Sequence, residues 1–268
     1  MVQIHFLEDI HHSKLVPYQH LRTRKRERRT EEFVAEGRWL VERLIRSRSE
    51  VLSVLTDGQH LDEVVGWLDA SQRKSNQVEV LVLAESKISD LIGFKFHRGM
   101  MAVGRLWQSA DLGHWTIDRM VVCNGVADPQ NLGAIMRAAA AFGIDTVAFD
   151  DRCGNYLSRQ ALRVSMGAPF HLRLIQGTDM VIEELIDRHQ LPILLTSLDS
   201  SAVPLPTYCP PQRFALILGS EGFGVTEHWM QSASTKLTLP MAEDCDSLNV
   251  AVACGIFLYH LTLPQERA

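Results

Sequence analysis

Three polar stretches in the second half of the chain carry side chains that can orient a hydroxyl, hold a charge or meet a ligand. In NGVADPQNLGAIMRAAAAFG, Asn124 to Gly143, Asn131 and Arg137 stand among alanines and a glycine; in GSEGFGVTE, Gly219 to Glu227, the carboxylate of Glu221 is surrounded by three glycines. In LPMAEDCDSLNVAVA, Leu239 to Ala253, the polar residues Asp246, Ser247 and Asn249 open a helix that is apolar on all sides. Such a helix has to be buried, and burial makes polar groups at its start costly unless they are satisfied. A Ser or Asp cap accounts for one of them. Asn249, read as lying inside the first turn, needs a partner, and a ligand is a candidate.

The chemistry open to these stretches is bounded by what they lack. The loop around Glu221 leaves backbone N–H groups free to approach a ligand, yet it has no GxxxxGK[ST] lysine and no GxSxG nucleophile. No GxGxxG follows the strand before Asn124, which disfavours a nicotinamide oxidoreductase. The five cysteines contain no CxxC pair, and His5, His11, His12 and His97 show no metal spacing, so neither zinc nor a disulfide framework is suggested. Arg137, in isolation, reads as a solvated arginine whose small neighbours would let a ligand or backbone come close.

The elements that position these stretches alternate regularly from about Ile117 onwards. The pattern predicts strands at RMVVC, TVAFD, FHLRLI, PILLTSL, FALILG and KLTLP, with helices at Asn131–Phe142, around Arg159–Ser165, at DMVIEELIDRH, at TEHWMQ and at the C-terminal end. Within the first helix Leu132, Ile135, Met136 and Ala139 form the buried stripe. Repeated βα units imply a largely parallel sheet covered on both faces, with ligands bound beyond the carboxyl ends of the strands.

Residues 1–107 read as a second, smaller α/β unit with strands at FVAEG, VLSVLTDG, VEVLVLAE and RGMMAVGRL and helices between them; residues 108–117 read as a linker and 118–268 as the second domain. The overall charge of −5 hides an asymmetry. Residues 14 to 48 hold eleven Lys or Arg against five Glu, a net +6 that leaves −11 on the rest. The densest run, RTRKRERR, contains Arg22, Arg24, Lys25, Arg26, Arg28 and Arg29, and its arginine content favours RNA or DNA phosphate as the partner. MVQIHFLEDIHHSK lacks the form of a signal peptide, and the closing apolar segment, interrupted by Tyr259 and His260, falls short of the roughly 20 residues of a membrane span. A soluble cytoplasmic protein without a membrane partner is expected.

Taken in order and spacing, NGVADPQNLGAIMRAAAAFG, LILGSEGFG and LTLPMAEDCDSLNVAVA resemble the three motifs of the TrmH-like (SpoU) RNA 2'-O-ribose methyltransferases of the SPOUT superfamily, over Ile117 to about Leu263. The N-terminal part, through RKRERRTEEFVAEGRWLVERL and the α/β pattern after it, is similar to the ribosomal-protein-like (L30e-like) RNA-binding domain of many members. The resemblance implies a deep trefoil knot enclosing S-adenosylmethionine, no metal, and a homodimer with its active sites near the subunit interface. It assigns catalysis to Asn131, Arg137, Glu221, Ser247 and Asn249, and donor contacts to Gly219, Leu239 and Leu248, with Thr196 and Met241 lining the same pocket. Family proposals make the arginine at the position of Arg137 the base; gripping the target phosphate and polarising the hydroxyl suits a group with pKa above about 12 better. The substrate expected is structured RNA, ribosomal rather than transfer RNA, and the alternative is a SPOUT-fold RNA-binding or ribosome-assembly factor without turnover.

Overall fold

A computed structural model of the chain describes residues 2–19, 21, 32–71, 78–96, 99–106, 115–220, 222–242 and 247–263. The basic run Arg22 to Arg29, Glu221 and Asp246 lie outside the described residues. The chain forms two compact units, Met1–Gln108 with Leu157–Phe170, and Ser109–Tyr156 with His171–Ala268.

The first unit is built on five strands, β1 (Gln3–Phe6), β2 (Glu32–Glu36), β3 (Glu50–Thr56), β4 (Glu79–Val82) and β5 (Met100–Arg105), in the order β1-β4-β3-β5-β2. β1, β4 and β3 run parallel, and β5 pairs antiparallel with β3 and β2. Successive side chains point to opposite faces of a strand, so both faces here are apolar. Met100 and Ala102 of β5, Phe33 and Ala35 of β2, and Val80 and Val82 of β4 enter one core. Met101, Val103, Val34 and Leu81 enter the other. The first core is covered by α1 (Arg38–Arg46) through Leu40, Val41, Leu44 and Ile45 and by α2 (Leu61–Ala70) through Val64 and Leu68. The second is covered by α3 (Glu85–Ile92) and by the 3-10 turn Ser13–Tyr18, whose Tyr18 hydroxyl bonds Ser53. β1 and this turn carry no strong sequence pattern and were not expected.

A second difference lies in Leu157–Phe170, which the sequence pattern assigns to the C-terminal domain but which packs in the first unit. Leu162 and Phe170 enter the core beside Phe33, whose ring stacks on Phe170 at 5.4 Å, and Arg159 pairs with Glu36. The helix in this segment is therefore apolar towards a sheet to which it is not sequentially adjacent.

The second unit is a seven-stranded, wholly parallel sheet. Its elements are β6 (Arg119–Asn124), α4 (Pro129–Ala141), β7 (Thr146–Phe149), β8 (Arg173–Gln176), α6 (Asp179–Arg188), β9 (Ile193–Thr196), β10 (Val203–Pro204), β11 (Phe214–Gly219), α7 (Glu227–Ser232), β12 (Thr235–Thr238) and α8 (Val250–Thr262), with α5 (Arg159–Val164) in the inserted segment. The strand order is β10-β12-β9-β11-β6-β7-β8, and every pairing is parallel. One core joins Met120, Val122, Leu195, Ala215 and Ile217 of the sheet to Ile182 and Ile186 of α6 and Trp229 of α7. α4 packs against α8, with Leu132, Ile135, Met136 and Ala139 buried as the periodicity predicts. Because these strands are parallel and β12, β9, β11 and β6 are neighbours in the sheet, their carboxyl ends gather on one side of it.

Candidate functional site

The carboxyl ends of β9, β11 and β12 open into a cavity of about 400 Å³, within the range of small-molecule sites. Thr196 ends β9 and Leu198 follows it, Gly219 ends β11 and Gly224 belongs to the loop after it, and Leu239, Met241, Ser247 and Leu248 come from the chain between β12 and α8. The structure therefore brings Thr196, Gly219, Leu239, Met241 and Leu248 around one space, together with Ser247. Its walls are mostly apolar, with backbone at Gly219 and Gly224 and a carboxylate at Glu227.

Local chemistry explains the shape. Gly219 faces Gly224 so closely that a Cβ would lie 2.4 Å from the Gly224 carbonyl carbon and 2.7 Å from the Val225 nitrogen. Only glycine fits there, and the omitted side chain is what leaves the strand end open. Ser220 and Gly224 exchange backbone hydrogen bonds of 2.9 and 3.0 Å, closing the loop between them, and the Ser220 hydroxyl accepts from the Phe223 N–H at 3.2 Å. Thr196 donates its hydroxyl to the Ile217 carbonyl at 3.0 Å, tying β9 to β11 at the cavity.

Beneath that loop lies a polar cluster that the motif reading missed. Asn124, at the end of β6, donates to Asp150 at 3.1 Å and Asp179 at 3.0 Å and accepts from the Thr226 N–H at 2.8 Å. Asp179 accepts from the Thr226 hydroxyl and the Trp229 indole N–H, each at 3.0 Å, and pairs with Arg152 at 3.1 Å. Asp150, 1 % exposed, accepts the N–H groups of Gly125, Arg152 and Cys153. A carboxylate so buried is tolerated because its hydrogen-bonding capacity is filled. The only signal in the sequence was the position of Asn124 and Asp150 directly at strand ends.

Asn249 departs from expectation. It is not inside the first turn of α8 but is its N-cap: Oδ1 accepts from the N–H groups of Ala251 at 3.0 Å and Val252 at 3.3 Å. Its Nδ2 donates to Oδ1 of Asn131 at 2.9 Å, so each asparagine is a partner of the other. α4 starts at Pro129, two residues before the expected Asn131, with Asp128 capping the Gln130 N–H and Pro129 in the first turn. Arg137 lies on the exposed face of α4 and has no hydrogen bond or ion pair among the described residues. At about 100° per residue it stands roughly a third of a turn away from Asn131 around that helix. Of the five residues assigned to catalysis, Asn131 and Asn249 touch, Ser247 lines the cavity, Arg137 is separate, and Glu221 is undescribed.

Burial pushes the thiols of Cys153 and Cys254 up to about 12 and raises that of Cys123 well above its ordinary value. All three stay protonated near neutrality, which removes them as nucleophiles. Cys209, by contrast, is exposed. Among the described residues no cluster of His, Cys, Asp or Glu is arranged to hold a metal ion, and no helix is long and apolar enough to cross a membrane.

Comparison with known proteins accords with this arrangement. An uncharacterized tRNA/rRNA methyltransferase of Mycobacterium tuberculosis is 30% identical over 85% of this chain and 80% of its own length. The Bacillus subtilis 23S rRNA (guanosine(2553)-2'-O)-methyltransferase RlmP is 26% identical over 95% of this chain and 98% of its own. The fold is that of the AdoMet-bound rRNA methyltransferase from Sinorhizobium meliloti, with a TM-score of 0.82 over 97% of both chains at 21% identity. Residues 118–259, running from β6 through α4 and the cavity into α8, match the SpoU rRNA Methylase family, and the chain belongs to that family.

Proposed function

We propose that the protein transfers the methyl group of S-adenosylmethionine to a ribose 2'-hydroxyl of structured RNA, ribosomal rather than transfer RNA, in the cytoplasm. The observation that carries this reading is the cavity at the ends of β9, β11 and β12, whose residues fit the donor. The open backbone at Gly219 admits the edge of an adenine, Leu239, Met241 and Leu248 supply apolar walls, and Thr196 closes one side. The donor supplies an electrophilic methyl on a sulfonium; the rest is positioning, and alignment alone is worth up to about 7 to 11 kcal/mol in ideal cases.

The chain's own groups divide that task. Asn131 and Asn249, joined by one hydrogen bond, order the start of α8 beside the cavity, and Ser247 presents a hydroxyl at its rim. Arg137, exposed and free of partners among the described residues, is available to grip the target phosphate and polarise the hydroxyl. Glu221 orients the arginine or the loop backbone. The trefoil knot and the donor enclosure it creates are supported by the joint lining of the cavity by Gly219, Gly224 and Val225 from one loop and by Leu239, Met241 and Leu248 from the other.

Two further parts of the reading concern partners. The basic run Arg22, Arg24, Lys25, Arg26, Arg28 and Arg29 and the L30e-like first domain bind RNA, supported by the net +6 over residues 14 to 48 and by relatives that act on 23S rRNA. The active form is a homodimer. Val252, Ile256, Tyr259 and Leu263 are 54, 41, 57 and 44 % exposed and recur along one side of α8, an apolar stripe suited to a second copy.

The test is methyl incorporation from labelled donor into RNA from cells lacking the gene, with the modified nucleotide mapped. Wild-type protein methylates one or a few riboses; Arg137→Ala is inactive, and Arg137→Lys retains part of the rate if phosphate gripping is its role. Full activity of Arg137→Ala would overturn both arginine roles. Donor binding with no methyl incorporation would favour a non-catalytic RNA-binding or ribosome-assembly factor.

A further inference from the structure

Phe223 is the most exposed large apolar residue described, at 97 %. It nevertheless belongs to the cavity lining, so its ring stands at the rim and not within the space. A phenylalanine gains nothing by folding into such a place, because it removes no apolar area from water. Nor is it carried on a slack turn. The Ser220–Gly224 backbone pair closes the loop beneath it, the Ser220 hydroxyl holds its own N–H at 3.2 Å, and two residues after Gly224 the chain is fastened by Asn124 and Asp179. The fold presents an aromatic face to solvent on a braced support, beside the donor cavity.

Any ribose whose 2'-hydroxyl reaches that cavity brings its base within a few ångströms of the same rim. To get there the nucleotide must leave its stack, and an unstacked base is held in RNA-binding sites on an aromatic plane. We propose that the ring of Phe223 is the stacking platform for the base of the target nucleotide. The inference rests on the methyltransferase reading above and adds the acceptor subsite to it. A π-face accepts any base, so the ring fixes where the nucleotide sits without choosing which base it is.

The test uses the full-length protein, S-adenosylmethionine, and total RNA from cells lacking the gene. Donor affinity is measured by calorimetry without RNA, and kcat/KM for methyl transfer is measured with RNA as the varied substrate. Phe223→Ala lowers kcat/KM by about tenfold or more, the scale of losing one base–aromatic stack, while donor affinity stays within about twofold and the melting temperature is unchanged. Phe223→Trp restores most of the rate, and Phe223→Leu, apolar but without a π-face, does not. Equal rates for the Ala variant and wild type, full rescue by Leu, a loss of donor affinity matching the loss of rate, or a change of oligomeric state would each overturn the platform. A wild-type protein that binds donor and transfers no methyl would instead remove the reading on which it rests.

Discussion

The amide of Asn249 donates to Oδ1 of Asn131 at 2.9 Å, joining two residues 118 positions apart in sequence. Its other end caps α8, and this fixes the orientation of both side chains. The atom facing the Ala251 and Val252 N–H groups has to be an oxygen, so the atom facing Asn131 is the NH2 group and Asn131 turns its oxygen towards it. One side chain thus ends the exposed N–H row of α8 and locks it to α4.

Separating the two tasks is straightforward. Asn249→Ser keeps a cap but removes the donor to Asn131; Asn249→Ala removes both and costs about 1 kcal/mol of stability through the cap. Methyl transfer falls about tenfold or more in Asn249→Ser with a smaller change in melting temperature. In a double-mutant cycle with Asn131→Ala the losses are non-additive, as for contacting residues. Additive losses would show that the contact is incidental to the reaction.

Asp179 receives Asn124, Thr226, Trp229 and Arg152, and it therefore holds the α7 side of the cavity from behind. Asp179→Asn turns one acceptor into a donor facing donors. Leaving a buried partner unmet costs about 1–3 kcal/mol, so the variant melts earlier and binds S-adenosylmethionine roughly tenfold more weakly. Calorimetry well below the melting temperature checks this. Unchanged donor affinity with only a lower melting temperature would make the cluster structural alone.

Gly219→Ala places a methyl 2.4 Å from the Gly224 carbonyl carbon, so the loop after β11 has to move. Donor affinity falls by about tenfold or more, because a shift of the order of 1 Å at an aligned site is costly. Gly222→Ala adds a Cβ that meets no atom within 4 Å and costs far less. Equal effects of the two substitutions in a binding titration would refute the close-approach argument.

Ile256→Glu and Tyr259→Glu each set a carboxylate on the apolar stripe of α8, at positions 41 and 57 % exposed in the single chain. On the proposed homodimer, sedimentation shows a dimer for the wild type and a monomer for each variant, at little cost to monomer stability. A wild type that sediments as a monomer at micromolar concentration would remove the stripe as a subunit interface.

The sequence by itself determined the elements and their chemistry. Period-2 and period-3.6 patterns located the strands and helices of the second unit, because a sheet buried on both faces and an amphipathic α4 each leave a local imprint. The short edge strand β10 and the polar-flanked β1 left none. The order and spacing of the three motifs carried the family, and the five positions expected to contact the donor line one cavity. Tertiary structure decided what depends on contacts between distant residues. That Asn249 caps a helix and binds Asn131, that Asn124 and Asp179 brace the cavity loop, that Leu157–Phe170 packs in the first unit, and that Phe223 stands open at the rim are all properties of pairs or of surfaces. A residue type and its spacing state what a side chain can donate, accept or bury; which partner it meets is set by how the strands are ordered in the sheet.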